Sequence, residues 1–178
     1  MLQKIRRVVT GHNAQGRAVI LFNDHAPNAT ELKGWTGAGV TELWVTDENP
    51  ADNSGNADRS LRPLRHDPLP GGSIFRVVEI PPEGADTKID TNSAFTQLGS
   101  THKPTAEDSA RHPTMHKTDS IDYLVVISGE MDMVMEEGSV HLKAGDCIVQ
   151  RGTNHAWVNR SGKPCLLAAV LIDAKPTP

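Results

Sequence analysis

Eight histidines stand beside only seven aromatic side chains (three Phe, three Trp and one Tyr) in this chain of 178 residues. That ratio directs attention to acid–base or metal chemistry, because imidazole changes charge near neutral pH and is the commonest metal ligand. Two stretches carry histidines in a useful setting. In Arg111-His112-Pro-Thr-Met-His116-Lys-Thr118-Asp-Ser120-Ile-Asp122, an extended backbone places His116, Thr118, Ser120 and Asp122 on one face. In Gln150-Arg-Gly152-Thr-Asn-His155-Ala-Trp157-Val-Asn159, His155 leads a short strand and shares a face with Trp157. Tyr123 and Gln150 face either the same interior or the opposite side. His141 alternates with Val140 and Leu142 and reads as exposed, while His12, His25, His66 and His102 sit in turns or polar segments without a pattern.

The elements that must position these groups read as strands. Short apolar runs recur at Arg17–Phe22, Val40–Thr46, Ser73–Pro81, Asp122–Ser128, Met131–Met135, Val140–Lys143, Cys147–Gln150, Ala156–Asn159 and Cys165–Ile172. Most are short and rich in Val, Ile or Leu, and turn residues such as Gly129, Gly138, Gly145 and Gly162 separate them. The spacing predicts an all-β sandwich or barrel. Asn49 to Gly72, with four prolines and little to bury, reads as a long surface loop or an arm around a partner subunit. Ala85 to Arg111 reads as a lid or interface, with a short helix capped by Asn92 or Ser93, carrying Phe95 and Leu98 and ended by Gly99. The chain thus divides into N-terminal strands and a Pro-rich arm (1–84), a lid-like segment (85–111) and a barrel segment (112–174), within one structural domain.

Bulk properties exclude several functions. The formal charge is 18 − 22 = −4 with scattered basic residues, so the clustered positive stripe that nucleic-acid binding needs is missing. Cys147 and Cys165 lie inside apolar runs and read as reduced, packed thiols. The apolar run Cys165–Ile172 is far short of the roughly 20 residues of a membrane-spanning helix. Met1 to Arg7 shows basic residues without the apolar stretch of a secretory signal. A cytoplasmic protein with neither nucleic acid nor membrane as partner is expected.

The two histidine stretches together resemble the cupin superfamily. His116, Thr118 and Asp122, the last separated from Gly129 by six residues, match its first motif as His-x-Thr-x3-Asp in place of His-x-His-x3-Glu. Gly145, Gly152, His155 and Asn159 match its second motif, one residue short before Gly152. The resemblance covers Met115 to Ile172 and implies a double-stranded β-helix (jelly roll), here with an N-terminal β extension and one or two short helices. It implies a divalent transition metal (Fe, Mn, Zn or Ni) held by His116, Asp122 and His155. Two histidines and a carboxylate form the donor set of non-haem iron sites. His112 stands as a replacement third histidine or as a histidine at the mouth of the barrel. Thr118, Gln150, Trp157 and Tyr123 are the candidate pocket residues, and His116, His155 and Asp122 the candidate catalytic ones. A metal-dependent enzyme on a small organic molecule follows, acting as a dioxygenase, decarboxylase or isomerase/dehydratase. A non-catalytic barrel that binds or senses a small ligand is the alternative. The resemblance also implies a homodimer.

Overall fold

The computed structural model describes residues 1–84, 87–100 and 102–176. Chain order gives β1 (Arg6–His12), β2 (Ala18–His25), β3 (Asn28–Glu31), β4 (Gly39–Thr46), β5 (Ser73–Ile80), α1 (Thr91–Gln97), α2 (Ala106–Arg111), β6 (Ser120–Ser128), β7 (Glu130–Met135), β8 (Ser139–Lys143), β9 (Cys147–Arg151), β10 (His155–Val158) and β11 (Cys165–Asp173). A six-stranded antiparallel sheet runs β3-β4-β5-β11-β6-β9, and a three-stranded sheet runs β10-β7-β8. The two enclose the core of a double-stranded β-helix. β1 and β2 form a separate hairpin, so the N-terminal extension is β as expected.

Alternation explains why these segments face each other. Along β6, Ser120, Asp122, Leu124 and Val126 are buried, whereas Tyr123, Val125 and Ile127 are exposed. The inward residues of β5, β11 and β6 meet those of β7 and β10 in one apolar cluster that includes Ile74, Ile80, Leu124, Val126, Met131, Met133, Leu167 and Trp157. Each such side chain contributes about 1.5–3 kcal/mol by leaving water. Val134 of β7 breaks the alternation of its neighbours Met131 and Met133. It is buried on the other side of the small sheet, against Met115, Ala156 and Val158. The chain approaching His116 covers that side, so β7 is buried on both faces there.

Three elements differ from the sequence reading. β1 and β3 are strands that polar and charged residues concealed. α1 starts earlier than expected, because Asp90 is its N-cap: its carboxylate accepts from Ser93 N (3.1 Å) and Ser93 Oγ (2.6 Å). The helix ends at Leu98, and Gly99 follows with φ +61°. The Pro-rich segment is not simply a surface loop. Ser60 and His66 within it are buried, and His66 N donates to Leu98 O (2.7 Å). Ala85, Asp86 and Thr101 of the lid-like segment lie outside the described residues.

Candidate functional site

One short backbone bridge builds the centre of the site. His116 N donates to His155 O and His155 N to His116 O, each at 2.9 Å, as an isolated antiparallel pair. Residues paired in this way present their side chains side by side, and the two imidazole centroids are 4.4 Å apart. Each ring is then fixed through Nδ1. His116 Nδ1 donates to Thr114 O (2.7 Å), and His155 Nδ1 donates to Thr153 O (2.9 Å). A carbonyl can only accept, so the Thr114 and Thr153 contacts put the proton on Nδ1 and the lone pair on Nε2; Gln150 Nε2, 3.2 Å from His155 Nδ1, donates to Thr153 O at the shorter distance of 2.8 Å. Burial disfavours the charged form. It pushes His155 down to about 4 and, with His155 as a further cause, holds His116 well below the ordinary histidine value. Both rings are neutral bases at pH 7.

These rings line a cavity of about 100 Å³ inside the barrel. Its body is apolar, with Val78, Leu124 and Leu167 from the large sheet and Ala94, Phe95 and Leu98 from α1 and its C-cap above. Polar groups gather on the wall: Thr118 and Trp157 as expected, together with Arg76, Asp122 and His66. Asp122 is pushed up to about 6 by burial, although the Ser120 hydroxyl donates to its Oδ1 (2.6 Å) and Arg76 opposes the rise.

The metal-binding geometry expected from the resemblance does not emerge. His116 and His155 stand together, but Asp122 is engaged by Ser120, whose hydroxyl also lies 2.8 Å from Thr118 Oγ1. Among the described residues no three His, Cys, Asp or Glu side chains converge to hold a metal ion. The donor set therefore does not fit a three-ligand centre. His112 does not supply a third donor. Its Nδ1 pairs with Thr114 Oγ1 (2.9 Å) and its Nε2 with Glu83 Oε2 (3.1 Å), outside the cavity wall. Tyr123 is corrected too. It is 53% exposed on the outer face of β6, as the alternation from Asp122 dictates. Gln150 is buried behind the site and donates from Nε2 to Thr153 O (2.8 Å), the carbonyl that holds His155.

Two site residues escaped the sequence reading. His66, in the Pro-rich segment, packs against His116 with centroids 5.0 Å apart and against Phe95 at 5.4 Å. Its Nδ1 lies 2.9 Å from Ser100 Oγ. It lies 50 positions upstream of His116, where no local pattern marks it. Arg76, in a strand that also carries Ser73 and Glu79, gave no signal beyond a charge within a mainly apolar run.

Nine strands in two sheets around a largely apolar cavity that two paired histidines line define a barrel of the cupin type. A family profile described as the cupin domain matches residues 101–171. The chain is 33% identical over 183 residues to the phomopsin biosynthesis cluster protein C' of Diaporthe leptostromiformis, covering 98% of this chain and 82% of that protein. It is 30% identical to the oryzines biosynthesis cluster protein J of Aspergillus oryzae, covering 97% of this chain and 85% of that protein. It is 28% identical to the cupin-domain-containing oxidoreductase fogC of Aspergillus ruber, covering 97% of this chain and 74% of that protein. The chain belongs to the cupin family.

Proposed function

We propose that the chain is a cupin-type enzyme that moves a proton on a small, largely apolar organic molecule enclosed beneath α1. His116 Nε2 takes a proton from carbon, with His155 Nε2 beside it as the second acceptor, and the imidazolium so formed returns the proton to another atom of the same molecule. The net change is an isomerisation or dehydration. One observation carries this reading: two neutral imidazoles, each fixed through Nδ1 by a backbone carbonyl and with centroids 4.4 Å apart, line the same largely apolar cavity. A base poised in its neutral form at the working pH is what such proton transfer needs. The naming of a relative as an oxidoreductase favours catalysis over a passive binding barrel. Proton transfer is the part of such chemistry that this chain's own residues supply. No step is assigned to a metal, because the donors do not converge on one.

The test is deuterium uptake from D2O into small ketones, followed by NMR. His116→Gln and His155→Gln are expected to slow exchange by about 10²–10⁴-fold, and dialysis against a chelator to leave it unchanged. Saturable binding without exchange would establish the non-catalytic barrel instead, and chelator-sensitive exchange would restore the metal. A homodimer is also proposed, and light scattering that gives the 19.2 kDa monomer mass would refute it. Among the described residues no helix is long and apolar enough to cross a membrane; the cytoplasmic assignment is a proposal of the same kind.

A further inference from the structure

The inner face of the large sheet carries a polar group that the proton-transfer scheme leaves idle. Glu42 and Arg76 face each other across β4 and β5, and Arg76 is paired on its other side with Ala169 of β11. Arg76 Nη2 donates to Glu42 Oε1 (2.7 Å) and to Arg65 O (2.5 Å). Its Nε–H is buried and has no hydrogen-bond partner among the described residues. Arg76 is only 4% exposed and lines the cavity, where the methyl group of Ala169 is its small neighbour. Trp35 Nε1–H is a second buried donor without a partner, on the wall of the same cavity. A buried donor left unpaired is costly, because it has given up water without gaining a partner. Two of them around one apolar space mark a ligand that accepts hydrogen bonds.

We propose that Arg76, assisted by Trp35, anchors the carbonyl oxygen of a neutral aldehyde or ketone of about single-ring size. This rests on the proton-transfer reading above and names its substrate class. Charge favours a neutral ligand over a carboxylate. Glu42, Asp122 and Asp67 already act on Arg76, and a further carboxylate would add repulsion among them. Size sets the other limit. A cavity of roughly 150 Å³ holds benzene, so about 100 Å³ takes a short chain as it stands and a single ring once the side chains of α1 yield. The placement also serves the chemistry. When a proton leaves the carbon beside the carbonyl, the electron pair of the C–H bond moves onto oxygen. A guanidinium already donating there stabilises the resulting enolate. The proton passes to His116 Nε2, and reprotonation at another atom restores the carbonyl.

Binding of carbonyl-labelled cyclohexanone, read by its infrared C=O stretch and by titration, tests the assignment without requiring turnover. The wild type is expected to lower the stretch. It is also expected to bind the ketone about tenfold or more tightly than methylenecyclohexane, which has the same shape and no acceptor. Glu42→Gln/Arg76→Met, which removes both charges so that neither is left alone, is expected to abolish the shift and that preference. Trp35→Phe is expected to weaken ketone binding several-fold. Equal binding of the two wild-type ligands overturns the proposal even if the double variant does not fold. An unchanged stretch in a folded double variant does so as well. Tighter binding of cyclohexanecarboxylate than of cyclohexanone overturns the neutral-ligand choice. His116→Gln separates the two ideas. Normal ketone binding with lost exchange supports both, and normal binding with normal exchange refutes the proton-transfer reading while Arg76 stands.

Discussion

The protonation state of the two central imidazoles governs what the site can do. His155 falls from 6.5 to about 4, which corresponds to roughly 3 kcal/mol between its protonation states. The sign follows from linkage. A depressed histidine holds its proton more weakly in the folded chain, so its stabilising contribution is complete above about pH 6.5 and is lost as pH falls towards 4. His116 and His66 shift in the same direction. Asp122 does the opposite: raised to about 6 from 3.8, it favours the fold below 3.8 and loses that contribution as pH rises through 6. With three histidines against one carboxyl, melting temperature is expected to drop between pH 7 and 5. His155→Gln is expected to make that slope shallower, measured by melting curves across the range; an unchanged slope would contradict the buried neutral state. His116 and His155 were legible in the sequence because each sits in a strand-spaced motif. His66 and Arg76 were not, since tertiary packing alone carries them to the cavity from a Pro-rich segment and an apolar strand.

At the scale of elements, α1 matters most, since Ala94, Phe95 and the C-cap Leu98 form the roof of the cavity. Seven residues make a marginal helix alone, so its caps and tethers decide whether the roof stays closed. Gln97 ties it to the barrel, accepting from Lys33 N (2.7 Å) and donating to Glu31 O (3.1 Å). Asp90→Ala removes the N-cap and is expected to cost about 1 kcal/mol. Because the cavity is roofed by this helix, ligand dissociation is expected to quicken more than the melting temperature falls. Stopped-flow release measured beside thermal melting checks this, and an unchanged release rate would mean that α1 does not gate the cavity. Apart from β1 and β3, the strands were legible through their apolar runs. The helix start was misplaced because three candidate caps, Asp90, Asn92 and Ser93, lie within four residues, and only the hydrogen bonds to Ser93 choose among them.

For the molecule as a whole, the barrel is coupled to its N-terminal extension through a charged clamp. Arg7 of β1 is 8% exposed; it donates from Nη1 to Leu43 O (2.7 Å) and Ser60 Oγ (3.1 Å), and pairs with Asp58. The clamp joins the hairpin, β4 and the Pro-rich segment that also carries His66. Removing one partner of a buried pair leaves the other charge uncompensated, so Arg7→Met is expected to destabilise the fold by roughly 3 kcal/mol. Chemical denaturation checks this, and a change below the scatter of replicate curves would remove the clamp from the account. The large sheet and its motifs announced themselves in sequence. The clamp did not, because its members lie some 50 residues apart. The claim on which the rest depends is that His116 and His155 are neutral at pH 7, with protons on Nδ1 and lone pairs on Nε2. Nitrogen-15 NMR of the histidine rings from pH 8 to 5 reads this directly. Two rings that keep a protonated Nδ1 and an unprotonated Nε2 throughout are predicted; rings that gain a second proton near pH 6.5, or that carry the proton on Nε2, would contradict it.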